Sequence, residues 1–173
     1  MQQMSCKTCG HWLLIASFLI ISLYSMKGVA MSLFSGTDVV LFPPMDGSLT
    51  FNGKPAANAK IIVHLYWKDE VGEKAEFHAN DKGEFNIPLK KTRVRIHPLS
   101  EFVVTQQISV IFEGDEYVIW SKAGLGTDEY GGLGGNPTNV RCEITEKRTK
   151  QQDFDGLFST SCTWDLITKN GEQ

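Results

Sequence analysis

Past its first thirty residues the chain has no segment in which apolar residues recur every three to four positions, the spacing of an amphipathic helix. It has no positive excess either. Its 17 Lys and Arg stand against 20 Asp and Glu, a formal net charge of -3, which argues against a nucleic-acid partner. No G-x-S-x-G elbow presents a serine nucleophile, and no internal repeat or low-complexity tail is present. Cysteine is scarce, with 4 in 173 residues. Cys6 and Cys9 form a C-x-x-C pair, but no second pair completes a zinc site. No cysteine directly follows the apolar stretch near the N-terminus, which argues against a lipoprotein anchor.

That stretch, residues 12–24, is short of the roughly 20 residues a membrane span needs. Lys7 precedes it and the small residues Gly28 and Ala30 follow it, the three-part plan of a secretory signal. Cleavage is expected after Ala30, giving residues 1–30 as signal and 31–173 as one domain. Two other readings stay open: residues 12–24 as a retained membrane tether, and Met31 as the true start. Only Cys142 and Cys162 lie in the expected mature chain, and an even count in an exported protein reads as one disulfide. Closing that loop would stabilise the fold by roughly 3 kcal/mol in the chain-entropy description.

What is abundant is alternation. In "AKIIVHLYW", Ile61, Val63, Leu65 and Trp67 fall on one face and Ile62, His64 and Tyr66 on the other. "SLTFNG" carries Leu49 and Phe51 inward and ends in an Asn-Gly turn. "ANDKGEF" is a second turn, followed by a strand with Phe85 and Ile87. "EFVVTQQISVIFEGDEYVIWSK" reads as a long hairpin turning at Glu113, Gly114 and Asp115. "LKKTRVRIH" sets Lys91, Arg93 and Arg95 on one side of an extended segment, a solvated strand edge. The pattern predicts an all-β sandwich of seven or eight strands.

The two turns resemble those of the transthyretin-like sandwich of carboxypeptidase regulatory domains, whose pattern is G-x-P-x-x-x-A, a strand, then T-D-x-x-G-x-F. Gly53, Pro55, Ala59, Asn80, Gly83 and Phe85 occupy the matching positions. Ala79 stands where the pattern has threonine, and Asn80 where it has aspartate. Gly53 and Gly83 supply backbone angles that a side chain resists, and Pro55 is expected to pre-set its turn. Residues 33–164 also resemble a family of uncharacterised Gram-negative bacterial proteins. The shared features are Leu41-Phe42, Pro44, Gly47, the "NGKP" turn, and Tyr117 with Trp120. That resemblance implies a Gram-negative source and no established activity, and it transfers no catalytic residue.

Candidate sites are few. His64 and His78 fall on neighbouring strands, but no third ligand stands at metal spacing, so they read as a surface pair. "AGLGTDEYGGLGGNP" is the most unusual stretch. A strand rather than a helix follows it, which excludes a dinucleotide-binding loop. It reads as a long loop in which Asp128, Glu129, Tyr130 and Leu133 are the candidate partner-binding residues. No cofactor or metal is expected. The expectation is a non-enzymatic periplasmic module that binds a protein, such as an immunity protein neutralising a toxic effector. The rival is a carbohydrate- or surface-binding accessory domain.

Overall fold

Pro43 and Pro44 interrupt the first apolar run after residue 36, and a strand lies on either side: β1 (Thr37–Phe42) and β2 (Met45–Phe51). A computed structural model of the chain describes residues 36–96, 101–125, 130, 132–133, 135–152 and 156–167. The chain forms two units, Met1–Gly36 and Thr37–Gln173, and all strands of the described residues belong to the second. The Asn52-Gly53 turn leads from β2 into the two-residue β3 (Lys54–Pro55). β4 (Lys60–Tyr66) and β5 (Glu73–His78) form a hairpin, and β6 (Glu84–Ile87) and β7 (Lys90–Val94) follow. β8 (Val103–Phe112) and β9 (Asp115–Leu125) are the long hairpin expected from the sequence. Glu113 and Gly114 both have positive φ, 53° and 93°, at its turn. β10 (Asn136–Glu143), β11 (Thr149–Lys150), β12 (Leu157–Thr160) and β13 (Cys162–Ile167) complete the described strands.

The larger sheet runs β11-β12-β9-β8-β4-β5. The smaller runs β13-β10-β2, with β3 and β6 both paired to β2. β2 and β10 are parallel, and the other strand pairings among the described residues are antiparallel. The described residues therefore form an all-β sandwich, as their alternation predicts. The described residues form thirteen strands rather than seven or eight. The difference comes from the two-residue β3 and β11, from the β1–β7 ribbon, and from a break at Ser161.

Alternation decides which residues reach the core. Ile61, Val63 and Leu65 are buried, while Ile62, His64 and Tyr66 on the opposite face are half-buried. In β9 the register shifts, because Ile108 pairs with Trp120 and Ser109 with Val118. Ile119 is the extra residue of this bulge, which lets Ile119 and Trp120 both bury completely although they are sequence neighbours. Val39, Val40, Leu41 and Phe42 are all buried, so β1 is covered on both faces, and its Leu41 carbonyl accepts from Gln106 Nε2 at 2.9 Å. β7 shields β1 from solvent with the expected pattern: Lys91, Arg93 and Arg95 are exposed, and Val94 and Ile96 are half-buried.

One side of the sandwich is closed by the chain itself. At Ser161 it leaves the larger sheet as β12 and enters the smaller as β13. Thr160 holds that corner, since its Oγ1 donates to the Ile119 carbonyl and accepts from Cys162 N, both at 2.9 Å. Just beyond it, Cys142 and Cys162 face each other across β10 and β13 and form a disulfide.

Candidate functional site

The glycine-rich segment differs from its expected form. β9 extends to Leu125 and β10 begins at Asn136, so strands claim both ends of the expected loop. Asp128 and Glu129 lie outside the described residues. Tyr130 is half-buried and packs against the core. Leu133, expected to reach toward a partner, is instead fully buried within the core cluster. An apolar side chain gains more from core burial than from solvent, and Gly132 beside it supplies a positive φ of 76° that a side chain would resist.

Among the described residues the side opposite the Ser161 corner is open. There β5 pairs only with β4 and ends the larger sheet, and β6 pairs only with β2. The inward positions of β5 are Glu73, Ala75 and Phe77, which stand opposite Leu65, Val63 and Ile61. A charge and a methyl group at two of those three positions leave the space between the sheet edges unfilled. The result is an apolar cleft of about 200 Å³, walled by Phe42, Leu65, Ala75, Phe77, Ile87 and Leu89. Lys90 Nζ bonds Glu73 Oε1 at 2.5 Å on its rim, and Leu89 is 42% exposed. The paired, inward-set charge also blunts β5 as a template for another strand.

The remaining candidates take structural places. His64 stands opposite Lys74 and His78 opposite Lys60, so the two histidines are set apart along the hairpin and do not face each other. His64 instead bridges Tyr66 Oη at Nδ1 (2.7 Å) and the Val71 carbonyl at Nε2 (2.8 Å). Among the described residues no group of three or more His, Cys, Asp or Glu is arranged to hold a metal ion.

The turn residues form one unit. Asn52 and Gly53 have φ of 52° and 73°. Pro55 sits beyond the turn in β3 opposite Thr50, at a sheet edge where its missing N–H costs little. Asn80 Oδ1 accepts from Lys82 N and Glu84 N, both at 2.9 Å, and thereby shapes the second turn. Sequence reasoning missed a further member, Glu143 at the end of β10. Its carboxylate accepts from Asn52 N at 2.9 Å, Gly53 N at 3.0 Å and the Thr145 hydroxyl at 2.6 Å. Partial burial pushes its pKa up, but donors from Thr145, Gly53 and Thr50 outweigh this and hold it at about 2. No local pattern announces this contact, because 90 residues separate Gly53 from Glu143.

Residues 45–147 match the family model described as a domain of unknown function (DUF6795). The chain belongs to this family. No curated protein and no solved structure matches it. The DUF6795 region opens at the first residue of β2 and closes after β10. It contains both turns, Glu143, and every wall of the cleft except Phe42. Cys162 lies beyond it, so the disulfide ties the matched region to the strand that follows.

Proposed function

We propose that this chain is a non-enzymatic protein-binding module built on a transthyretin-like sandwich. It acts in the periplasm after export, with residues 1–30 as its signal. The observation that carries the reading is the apolar cleft between β5 and β6. It is open to solvent, has Ala75 and Leu89 exposed on its walls, and is bordered by the Glu73–Lys90 pair. A void of about 200 Å³ has room for one large apolar side chain, the kind of anchor that dominates protein interfaces. The flanking charges would orient the partner rather than add much affinity. The disulfide accords with an oxidising compartment. Within this class, an immunity protein that blocks a toxic effector is the specific role proposed.

The test places a charge on the cleft wall. Ala75→Asp and Leu89→Asp are made at exposed positions, and their melting curves are compared with the parent chain. The effector candidate is the product of the adjacent gene, co-expressed in the periplasm. The reading expects unchanged melting with lost protection and lost complex formation. Full protection by both folded variants would refute the cleft as the interface.

A second reading is favoured by a different surface. On the outer face of the larger sheet, Ser121, Ala123, Lys150, Gln151, Leu157 and Ser159 line a hollow of about 570 Å³. Hydroxyl and amide groups beside the 76% exposed Leu157 suit a glycan. Saccharide binding that Ser121→Trp abolishes, and Leu89→Asp does not, would select this alternative.

A further inference from the structure

Asn52 and Gly53 occupy the tip of the β2–β3 turn, both exposed. The Asn-Gly pair is chemically vulnerable. The Gly53 nitrogen can attack Asn52 Cγ, forming a C–N bond as the Cγ–Nδ2 bond breaks. Nδ2 leaves as ammonia with the proton shed by the Gly53 amide. Water then opens the succinimide at either carbonyl, giving aspartate or isoaspartate. A glycine nitrogen is the least hindered nucleophile for this closure, and a Cβ built at Gly53 would meet nothing within 4 Å. Steric crowding therefore does not protect this turn.

One group does engage the reacting nitrogen. Glu143 Oε2 accepts from Gly53 N at 3.0 Å, and Glu143 Oε1 from Asn52 N at 2.9 Å. We infer that Glu143 guards the Asn52-Gly53 peptide against succinimide formation, so that Asn52 is a latent deamidation site locked by a residue from β10. The physical reasons are two. A negative charge against the Gly53 N–H makes that amide harder to deprotonate, and the amide anion is the attacking species. Closing the ring also requires the Asn52-Gly53 peptide plane to turn its face toward Cγ, and a carboxylate holding both N–H groups resists the rotation. Glu143 stays ionised wherever deamidation is fast, because the same donors hold its pKa at about 2. It is correspondingly too weak a base to take the proton itself.

Release of the lock would matter to the fold. Either product places a second carboxylate beside Glu143, and isoaspartate lengthens the backbone at a tip where φ is 52°. β3 would loosen, and with it the Ala56 N to Leu49 O bond of 3.0 Å.

The experiment incubates the full chain at neutral pH and reads deamidation at Asn52 by peptide mapping, with isoaspartate methyltransferase labelling as the second readout. Four samples are compared: the parent chain, Glu143→Gln, Val104→Ala and a synthetic peptide spanning 49–56. Phe51, beside the turn, packs against Phe112 at one end of β8, and buried Val104 lies at the other end. Val104→Ala therefore loosens the core away from the turn and controls for global opening. The parent chain should react far more slowly than the peptide. Glu143→Gln should react about tenfold faster than the parent, the equivalent of one hydrogen bond to a charged group. Val104→Ala should stay near the parent rate. A parent rate equal to that of the peptide overturns the inference, and this comparison requires no variant to fold. So does a Glu143→Gln rate no higher than that of Val104→Ala.

Discussion

Leu49 donates its backbone N–H to the carbonyl of Gly83 at 2.8 Å, and that bond joins the two turns of the sandwich. Around it, Asn58 N donates to Asn80 O at 3.3 Å and Ala79 N to Ala59 O at 2.9 Å. The turn after β2 and the turn before β6 are therefore one packed unit rather than two loops.

Gly83 should be the least replaceable residue of that unit. Its φ is 78°, and a Cβ there would stand 2.5 Å from the Leu49 oxygen. Gly83→Val is expected to cost about 2–4 kcal/mol, combining backbone strain with a clash against main chain. Gly53→Ala, also at positive φ but in open space, should cost only about 1 kcal/mol. Urea unfolding of both variants checks the ranking, and equal costs would refute it.

The glycine-rich segment should prove structural at one position. Leu133 is fully buried, so Leu133→Ala is expected to destabilise the fold by about 2–4 kcal/mol. Deleting residues 126–134 should therefore lower stability, rather than leave folding intact as a free loop would. Denaturant midpoints of the two variants against the parent chain decide the matter.

The bridge between Cys142 and Cys162 spans a sequence separation of 20. Replacing both by alanine should lower stability by roughly 3 kcal/mol. Thiol labelling of the chain from residue 31 onward, unfolded without reductant, should find no free thiol. Labelling at both cysteines would remove the bridge and weaken the case for export.

Glu143 gives the fold an acid-sensitive component. Its pKa falls from 4.5 to about 2 on folding, so its contribution is complete above about 4.5 and is lost as the pH drops toward 2. The group is only partly buried, so the contribution is put at about 1–2 kcal/mol. Glu143→Gln should lose that stability at pH 7 and flatten the stability profile between pH 5 and pH 2. Parallel acid dependence in variant and parent would assign the loss to other carboxylates.

Much of this was legible in the chain, for a reason that lies in the strand itself. Side chains alternate with period two whatever the partner strand, so the inward set Ile61, Val63 and Leu65 follows from local order. Asn-Gly at 52–53 and Gly83 announce positive φ because few other residues tolerate it. The pairing of Cys142 with Cys162 followed from a count of two cysteines past residue 31 and from the expectation of export.

What the tertiary structure decided was every relation between distant segments. Leu133 sits among glycines that suggest a free loop, yet the gain from apolar burial draws it into the core. His64 and His78 share a hairpin, but the antiparallel register sets them opposite Lys74 and Lys60. The cleft exists because Glu73 and Ala75 of β5 point toward a gap between two sheets, and no local pattern states where sheets part. Glu143 reads as one more surface acid until the parallel pairing of β10 with β2 carries it to the Asn52 turn, 91 residues away. Periodicity and turn chemistry are properties of a few adjacent residues, and these the sequence determined. Register, sheet separation and the donors around a carboxylate arise from packing the whole chain, and only the fold set them.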